Sequence, residues 1–333
     1  MGYISLNKSN FFNNLDFFSS ICSKDKLSIA LKDNAYGHGT VEVAKMCKEY
    51  GIKHVFVRDM REVELIREFA FESIMVLYDI PEKLDQDIII SINSIDHLKK
   101  IPEYSKIELK LDSGMNRNGL VDDEFDRALN IIDEKNLKIN GIFTHFCCSD
   151  EYNEITPLQE KKFLEQIEIL KQKIDYDFRI HCANSAGALK VDMDKYDLAR
   201  IGIGSYGYLD LEESKYLKPV MSLYADKIAT KNINKGDHVG YGSQAFIAPR
   251  DMKISNYDMG YGNGFLRLSE HKKCKISDDR DILGRISMDS FAIEGDDEIV
   301  CVFDDVNELA KAHSTISYEI LTTLSPFIKR LIK

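Results

Sequence analysis

The stretch "SIALKDNAYGHG" (28–39) runs a short apolar segment into Lys32, and Asp33, Asn34, Tyr36 and His38 crowd in behind it. A lysine there is either a solvated strand end or an amine set in a cleft. The pattern recurs. Lys110 and Asp112 close "KIELKLD" (106–112), His145 closes "NGIFTHF" (140–146), His181 lies in "DFRIHCA" (177–183) and Arg200 in "DLARIGI" (197–203). An amine, imidazoles, a carboxylate and a guanidinium are the groups used to attack carbonyls, move protons and bind anions. One polar residue ending a strand is unremarkable, but several in the same relative place call for a shared site.

The elements that must carry them are short apolar runs at 27–32, 54–57, 73–78, 87–91, 106–112, 140–146, 177–183 and 197–203. Between them lie segments such as "MREVELIREFA" and "PLQEKKFLEQIEILKQKI", with apolar residues spaced three and four apart, the helical period. Strands and helices alternating in this way predict an α/β fold, a (β/α)8 TIM-type barrel over residues 1–213, in preference to an open doubly wound sheet. Barrels place their chemistry at the C-terminal ends of the strands, where these polar residues fall. From 214 to 333 the pattern changes to a C-terminal β-rich domain. Strands are expected near 220–231, 238–241, 253–258, 281–287, 290–294 and 298–303, and short helices near 306–312 and 317–324. The first few residues are expected to pair with that domain.

Composition narrows the partners. A chain of 333 residues, 44% hydrophobic and 30% charged, can bury one large core or two moderate ones. Its net charge of −11 argues against nucleic acid or an anionic membrane as partner and leaves a small-molecule substrate as the default. The seven cysteines show no C-x-x-C or metal-finger spacing, so no metal is expected and a reducing compartment is. With no secretory leader pattern and no apolar run long enough to span a bilayer, a cytoplasmic location is expected.

Six blocks in order, "LKDNAYGHG" (31–39), "KLDSGMNRNG" (110–119), "GIFTHF" (141–146), "HCANSAGAL" (181–189), "ARIGIGSYG" (199–207), and "GYGNGFLR" (260–267) with "GRISMD" (284–289), resemble the alanine racemases. These are pyridoxal 5'-phosphate enzymes built as a (β/α)8 barrel followed by a β-domain. The resemblance implies that Lys32 holds the cofactor covalently, and the apolar strand behind the amine favours its nucleophilic form. It implies that Tyr36, Ser185, the backbone of Gly202 and Ile203, and Tyr318 bind the phosphate, and that Arg200 meets the pyridine nitrogen. An arginine there disfavours ring protonation, so return of a proton to Cα should win over transamination.

Racemisation needs a base on each face of Cα. The resemblance gives one face to Lys32 and the other to Tyr261, reaching in from the partner of a homodimer whose active sites are shared across the interface. His145 and Arg200 form the relay that would stabilise the Tyr261 phenolate. Arg117 and the backbone N–H of Met288 would bind the substrate carboxylate. Lys110 matches a position that some members carry as a carbamate. Asp289, His38 and His181 are expected to act behind the groups that touch substrate. Asp33 replaces a usual Ala, Asn263 a usual Asp and Ser287 a commoner Cys, and Cys147 and Cys148 form an adjacent pair. The implied function is interconversion of L- and D-alanine, supplying D-alanine for peptidoglycan. Racemisation of another small amino acid such as serine, a related barrel decarboxylase and a non-catalytic cofactor-binding protein are the alternatives.

Overall fold

A computed structural model describes residues 1–242, 246–267 and 274–333. In chain order the strands are β1 (Tyr3–Leu6), β2 (Leu27–Ala30), β3 (His54–Val57), β4 (Ser73–Val76), β5 (Ile88–Ile92), β6 (Lys106–Lys110), β7 (Lys138–Phe143), β8 (Arg179–His181) and β9 (Ala199–Ile201). They continue as β10 (Met221–Ile233), β11 (His238–Val239), β12 (Phe246–Ile247), β13 (Met252–Tyr257), β14 (Phe291–Glu294), β15 (Ile299–Phe303) and β16 (Lys329–Ile332). The chain divides into two compact units. One comprises Asn10–Ala35 and Val43–Lys218; the other comprises Met1–Ser9, Tyr36–Glu42 and Pro219–Lys333.

In the first unit eight strands pair in parallel in the order β8-β7-β6-β5-β4-β3-β2-β9. Backbone bonds from Asp197 N to Ile180 O and from Arg200 N to Ala183 O, each 2.9 Å, join the two ends into a nearly closed barrel. Both faces of such a sheet are covered, so β2, β4 and β5 are buried at every residue and read as continuous apolar runs. Two helices of this unit start where short polar side chains satisfy the first N–H groups. Asp59 accepts from Arg61 N and Glu62 N, and Ser94 accepts from His97 N.

The strand leading to Lys32 stops earlier than expected, at Ala30. Beyond Lys32 the backbone is left-handed at Asp33, Asn34, Ala35 and Tyr36, with φ between 51° and 55°. Four such residues in succession, none of them glycine, cost energy that surrounding bonds must repay. Glu62 supplies part of it, accepting from Asn34 N at 2.9 Å and from Arg58 N at 2.7 Å, while Arg58 reaches Asp33 Oδ1 at 2.9 Å.

The second unit is a sheet in the order β14-β13-β10-β1-β16, with β15 also on β10. β10 is long because its first part pairs with β1 and β15 and its second part with β13. Residues 281–287, expected as a strand, form only isolated bridges, Lys275 with Asp281 and Leu283 with Ala292. Gly284 bends the run at φ +70°, and a Cβ there would lie 2.4 Å from Val239 O. The terminal strand β16 was not expected. It pairs parallel to β1, from Tyr3 opposite Lys329 to Leu6 opposite Ile332.

Candidate active site

The C-terminal end of the barrel gathers cations. Lys32 follows β2, Lys110 ends β6, Arg117 sits on the loop after β6, and Arg200 lies in β9. All four lie close enough to His145, two residues past β7, for their charges to act on it. Burial first, then Arg200, Lys110, Arg117 and Lys32, lower its imidazole to about 3. Burial and the charges of Arg117 and Arg200 lower the Lys110 amine to about 8. Cations gathered at one mouth raise the local concentration of anions, so it suits carboxylates and phosphates. Lys32 is not backed by apolar surface alone: its Nζ lies 3.3 Å from Asp33 Oδ2.

The Arg117 loop is shaped by Asp112, whose Oδ1 accepts from Gly114 N at 2.9 Å and Asn116 N at 3.1 Å. Gly119 closes it at φ +124°, where a Cβ would stand 2.8 Å from Asp112 N. Asn118, on the same loop, accepts from Lys110 Nζ through Oδ1.

Arg200 is buried and fully directed. It bonds His181 Nδ1 at 2.7 Å, Thr144 O at 2.7 Å and Cys182 O at 3.1 Å. Its guanidinium lies over the Phe143 ring, on which His181 is also stacked. Burial lowers Arg200 to about 10, which leaves it charged at neutral pH. The imidazole bonded to Arg200 is therefore that of His181, while His145 shares the cationic basin. Behind His181 stand two residues that strand-end reading missed. Glu108 Oε2 lies 2.7 Å from His181 Nε2, and Glu108 Oε1 accepts from Arg179 Nε. The available signal was an acid inside a strand buried on both faces, which has to be paired.

Past β8 and β9 the chain draws Ser185 against a glycine run. Ser185 Oγ accepts from Gly202 N at 3.0 Å and from Gly204 N at 3.2 Å. Ile203 follows at the start of a tight turn of helix, Ile203–Tyr206. At Gly204 a Cβ would come within 2.6 Å of the Phe18 ring and 3.0 Å of Ser185 Cβ, so only glycine keeps the backbone N–H groups this close together.

The second unit brings together its own candidates. Tyr261 N bonds Ser287 O at 3.1 Å and Gly262 N bonds Met288 O at 2.8 Å, so Tyr261 and Met288 sit side by side, both exposed, with Asp289 adjacent. Also in this unit, the rings of Tyr36 and Tyr318 meet with centroids 5.9 Å apart, and His38 Nδ1 lies 3.1 Å from Tyr36 O.

Residues 6–210 match the family model "Alanine racemase, N-terminal domain" and residues 220–332 match "Alanine racemase, C-terminal domain". The chain belongs to the alanine racemase family. Curated alanine racemases of Campylobacter concisus and Campylobacter curvus are each 39% identical to it over 99% of both chains. The structure of alanine racemase from Bacillus anthracis with bound L-Ala-P superposes with a TM-score of 0.87 at 25% identity, covering 100% of this chain and 95% of that one. An alanine racemase of Clostridium difficile gives the same TM-score at 24% identity and supports the fold.

The residues fit the cofactor such racemases imply. The Ser185 cradle, closed to any Cβ at Gly204, suits a phosphate ester, the buried Arg200 guanidinium suits a ring nitrogen held unprotonated, and Lys32 supplies an amine at the same barrel end.

Proposed function

We propose that this protein interconverts L- and D-alanine with pyridoxal 5'-phosphate, as a cytoplasmic homodimer that supplies D-alanine for peptidoglycan. The observation that carries the reading is the gathering of Lys32, Lys110, Arg117 and Arg200 around His145 at one end of the barrel, in a chain related over its full length to alanine racemases. Pyridoxal 5'-phosphate, held by Lys32, by Ser185 with Gly202 and Ile203, and by Tyr36 and Tyr318, would supply the sink for the electron pair left when Cα loses its proton.

The remaining work belongs to side chains. Lys32 Nζ takes or returns the proton on one face of Cα, and Tyr261 Oη, from the partner protomer, serves the other. Arg117, with the Met288 backbone N–H that comes with Tyr261 from the partner protomer, grips the substrate carboxylate, since a planar fork matches a carboxylate edge. Arg200 has no acceptor and a fixed charge, so it keeps a proton off the ring nitrogen and restrains charge delocalisation. A weaker sink favours reprotonation at Cα over leakage into transamination.

Chiral analysis of L-alanine and, separately, L-serine after incubation with purified protein and pyridoxal 5'-phosphate tests the proposal. D-Alanine forming much faster than D-serine is expected. D-Serine forming faster moves the substrate to serine. No D-product, in protein that borohydride shows to carry the cofactor on Lys32, overturns racemisation.

A further inference from the structure

We infer that Glu108 is a positioning residue for Arg200, acting through His181, and that Gly141 makes room for it. The inference rests on the proposed role of Arg200 but is tested separately from it.

Hydrogen bonds along the string admit one arrangement of protons. Arginine has five N–H donors and no acceptor, so the Arg200 Nη1 contact with His181 Nδ1, at 2.7 Å, requires a lone pair on Nδ1. The single imidazole proton then sits on Nε2 and points at Glu108 Oε2, 2.7 Å away. The other oxygen, Oε1, accepts from Arg179 Nε. Glu108 thus receives two donors and is fully buried, a place only an ionised carboxylate fills without conflict. Burial alone would raise its pKa; the charge of Arg179 and the hydrogen bonds from Arg179 and His181 oppose that and hold it below the carboxylate norm. The charged groups facing His181 are Glu108 from β6, Arg200 from β9 and Arg179 on its own strand, and the rings of Phe56 and Phe143 cover it from β3 and β7.

Glu108 and Arg179 stand on β6 and β8, with β7 between them. They meet because β7 carries Gly141 at that level: a Cβ there would lie 2.7 Å from Arg179 Cγ and 3.0 Å from Glu108 Cδ. Arg179 also lines a cavity of about 450 Å³ with His54, Ser73, Lys106 and Asn140, the first or early residues of their strands.

Glutamine at 108 cannot do the same work. Its amide has one acceptor oxygen for two facing donors. If the oxygen turns to Arg179, the NH2 group meets His181 Nε2, drives the imidazole proton to Nδ1 and sets it against an Arg200 donor. In serine proteases an amide in place of the carboxylate behind the catalytic histidine imposes the wrong tautomer in the same way. Removing Arg179 as well frees the oxygen for His181, with water from the cavity able to take the NH2 group.

The variants are Glu108→Gln, Gly141→Ala and the double variant Glu108→Gln with Arg179→Met. The first readout is 15N NMR of histidine-labelled protein without added cofactor, with His181 assigned by its loss in His181→Gln. The second is pyruvate formed per D-alanine in the loaded enzyme. Wild type is expected to show the Nε2–H form. Glu108→Gln should shift His181 toward Nδ1–H, slow racemisation about 10- to 100-fold, the scale seen for outer partners of ligating histidines, and raise pyruvate per turnover. Gly141→Ala should weaken the pair in the same direction, and the double variant should recover the Nε2–H form and the low pyruvate ratio. A folded Glu108→Gln that keeps the wild-type tautomer and ratio overturns the inference, as does a folded double variant without recovery. If Glu108→Gln does not fold, Gly141→Ala with unchanged tautomer and ratio overturns it. Wild type that fails to racemise alanine counts against the proposed function, and the tautomer readout still decides the role of Glu108.

Discussion

Lys110 lies at the end of a string of amides whose orientation assigns it one role. Asn93 Nδ2 is spent on Leu77 O at 2.7 Å, so Asn93 Oδ1 accepts from Asn118 Nδ2 at 3.2 Å, and Asn118 turns its own oxygen to Lys110 Nζ. The position calls for a donor. An amine meets that need with three N–H groups free to turn, whereas a carbamate keeps a single N–H on Nζ, fixed in the carbamate plane, to meet it. We therefore expect 13C NMR in labelled bicarbonate to show no carbamate in wild type, and Asn118→Leu, which removes the acceptor, to admit one. A carbamate signal in wild type would show that one N–H on Nζ is enough for Asn118 and would overturn the expectation. At this scale Lys32, Lys110, His145, His181 and Arg200 were legible in the sequence because a polar residue closing an apolar run is costly unless used. Glu108 was not. Between Ile107 and Leu109 it reads as ordinary alternation, and only the covering of both sheet faces makes its charge an anomaly.

Turns decide which side chains meet. Tyr261 and Met288 are neighbours because Gly260 lets the backbone at 260–262 lie against 287–288; a Cβ on Gly260 would stand 2.3 Å from Met288 O. Gly260→Ala must open that contact, at a cost of about 1–3 kcal/mol typical of overpacking. Under the proposed function it should lower racemisation by on the order of 100-fold while the cofactor spectrum, which depends on Lys32, stays as in wild type. Racemisation near the wild-type rate would separate Tyr261 and Met288 from the chemistry. The eight barrel strands were readable from apolar runs because parallel strands are buried throughout. The β-rich unit was harder. Residues 281–287 carry strand-like composition but are bent at Gly284, and β16 hides its role behind Lys329, Arg330 and Lys333.

At the scale of the molecule, two consequences can be measured. His145 is held down at about 3 by burial and by neighbouring cations, and burial also keeps His181 neutral. Unfolded histidine titrates near 6.5. Between about pH 6.5 and pH 3 the unfolded chain binds protons that the fold refuses, so stability falls as pH drops through that window. The urea midpoint of protein without cofactor should decline from pH 7 to pH 5, and His145→Gln should flatten the decline; an equal slope in the variant would mean that His145 ionises freely. The proposed shared site predicts complementation: co-refolding Lys32→Ala with Tyr261→Ala protomers in equal amounts should restore about a quarter of the sites, the share expected from random pairing in a twofold dimer. No recovery would place both residues in one protomer's site. The pairing of β1 with β16 has a consequence in time as well. β1 finds its parallel neighbour more than 300 residues further along the chain, whereas every barrel pair except β2 with β9 joins strands made one after the other. During translation the barrel can therefore assemble first, and the side of Tyr3–Leu6 that faces away from β10 stays an unclaimed β-edge until Lys329–Ile332 emerges.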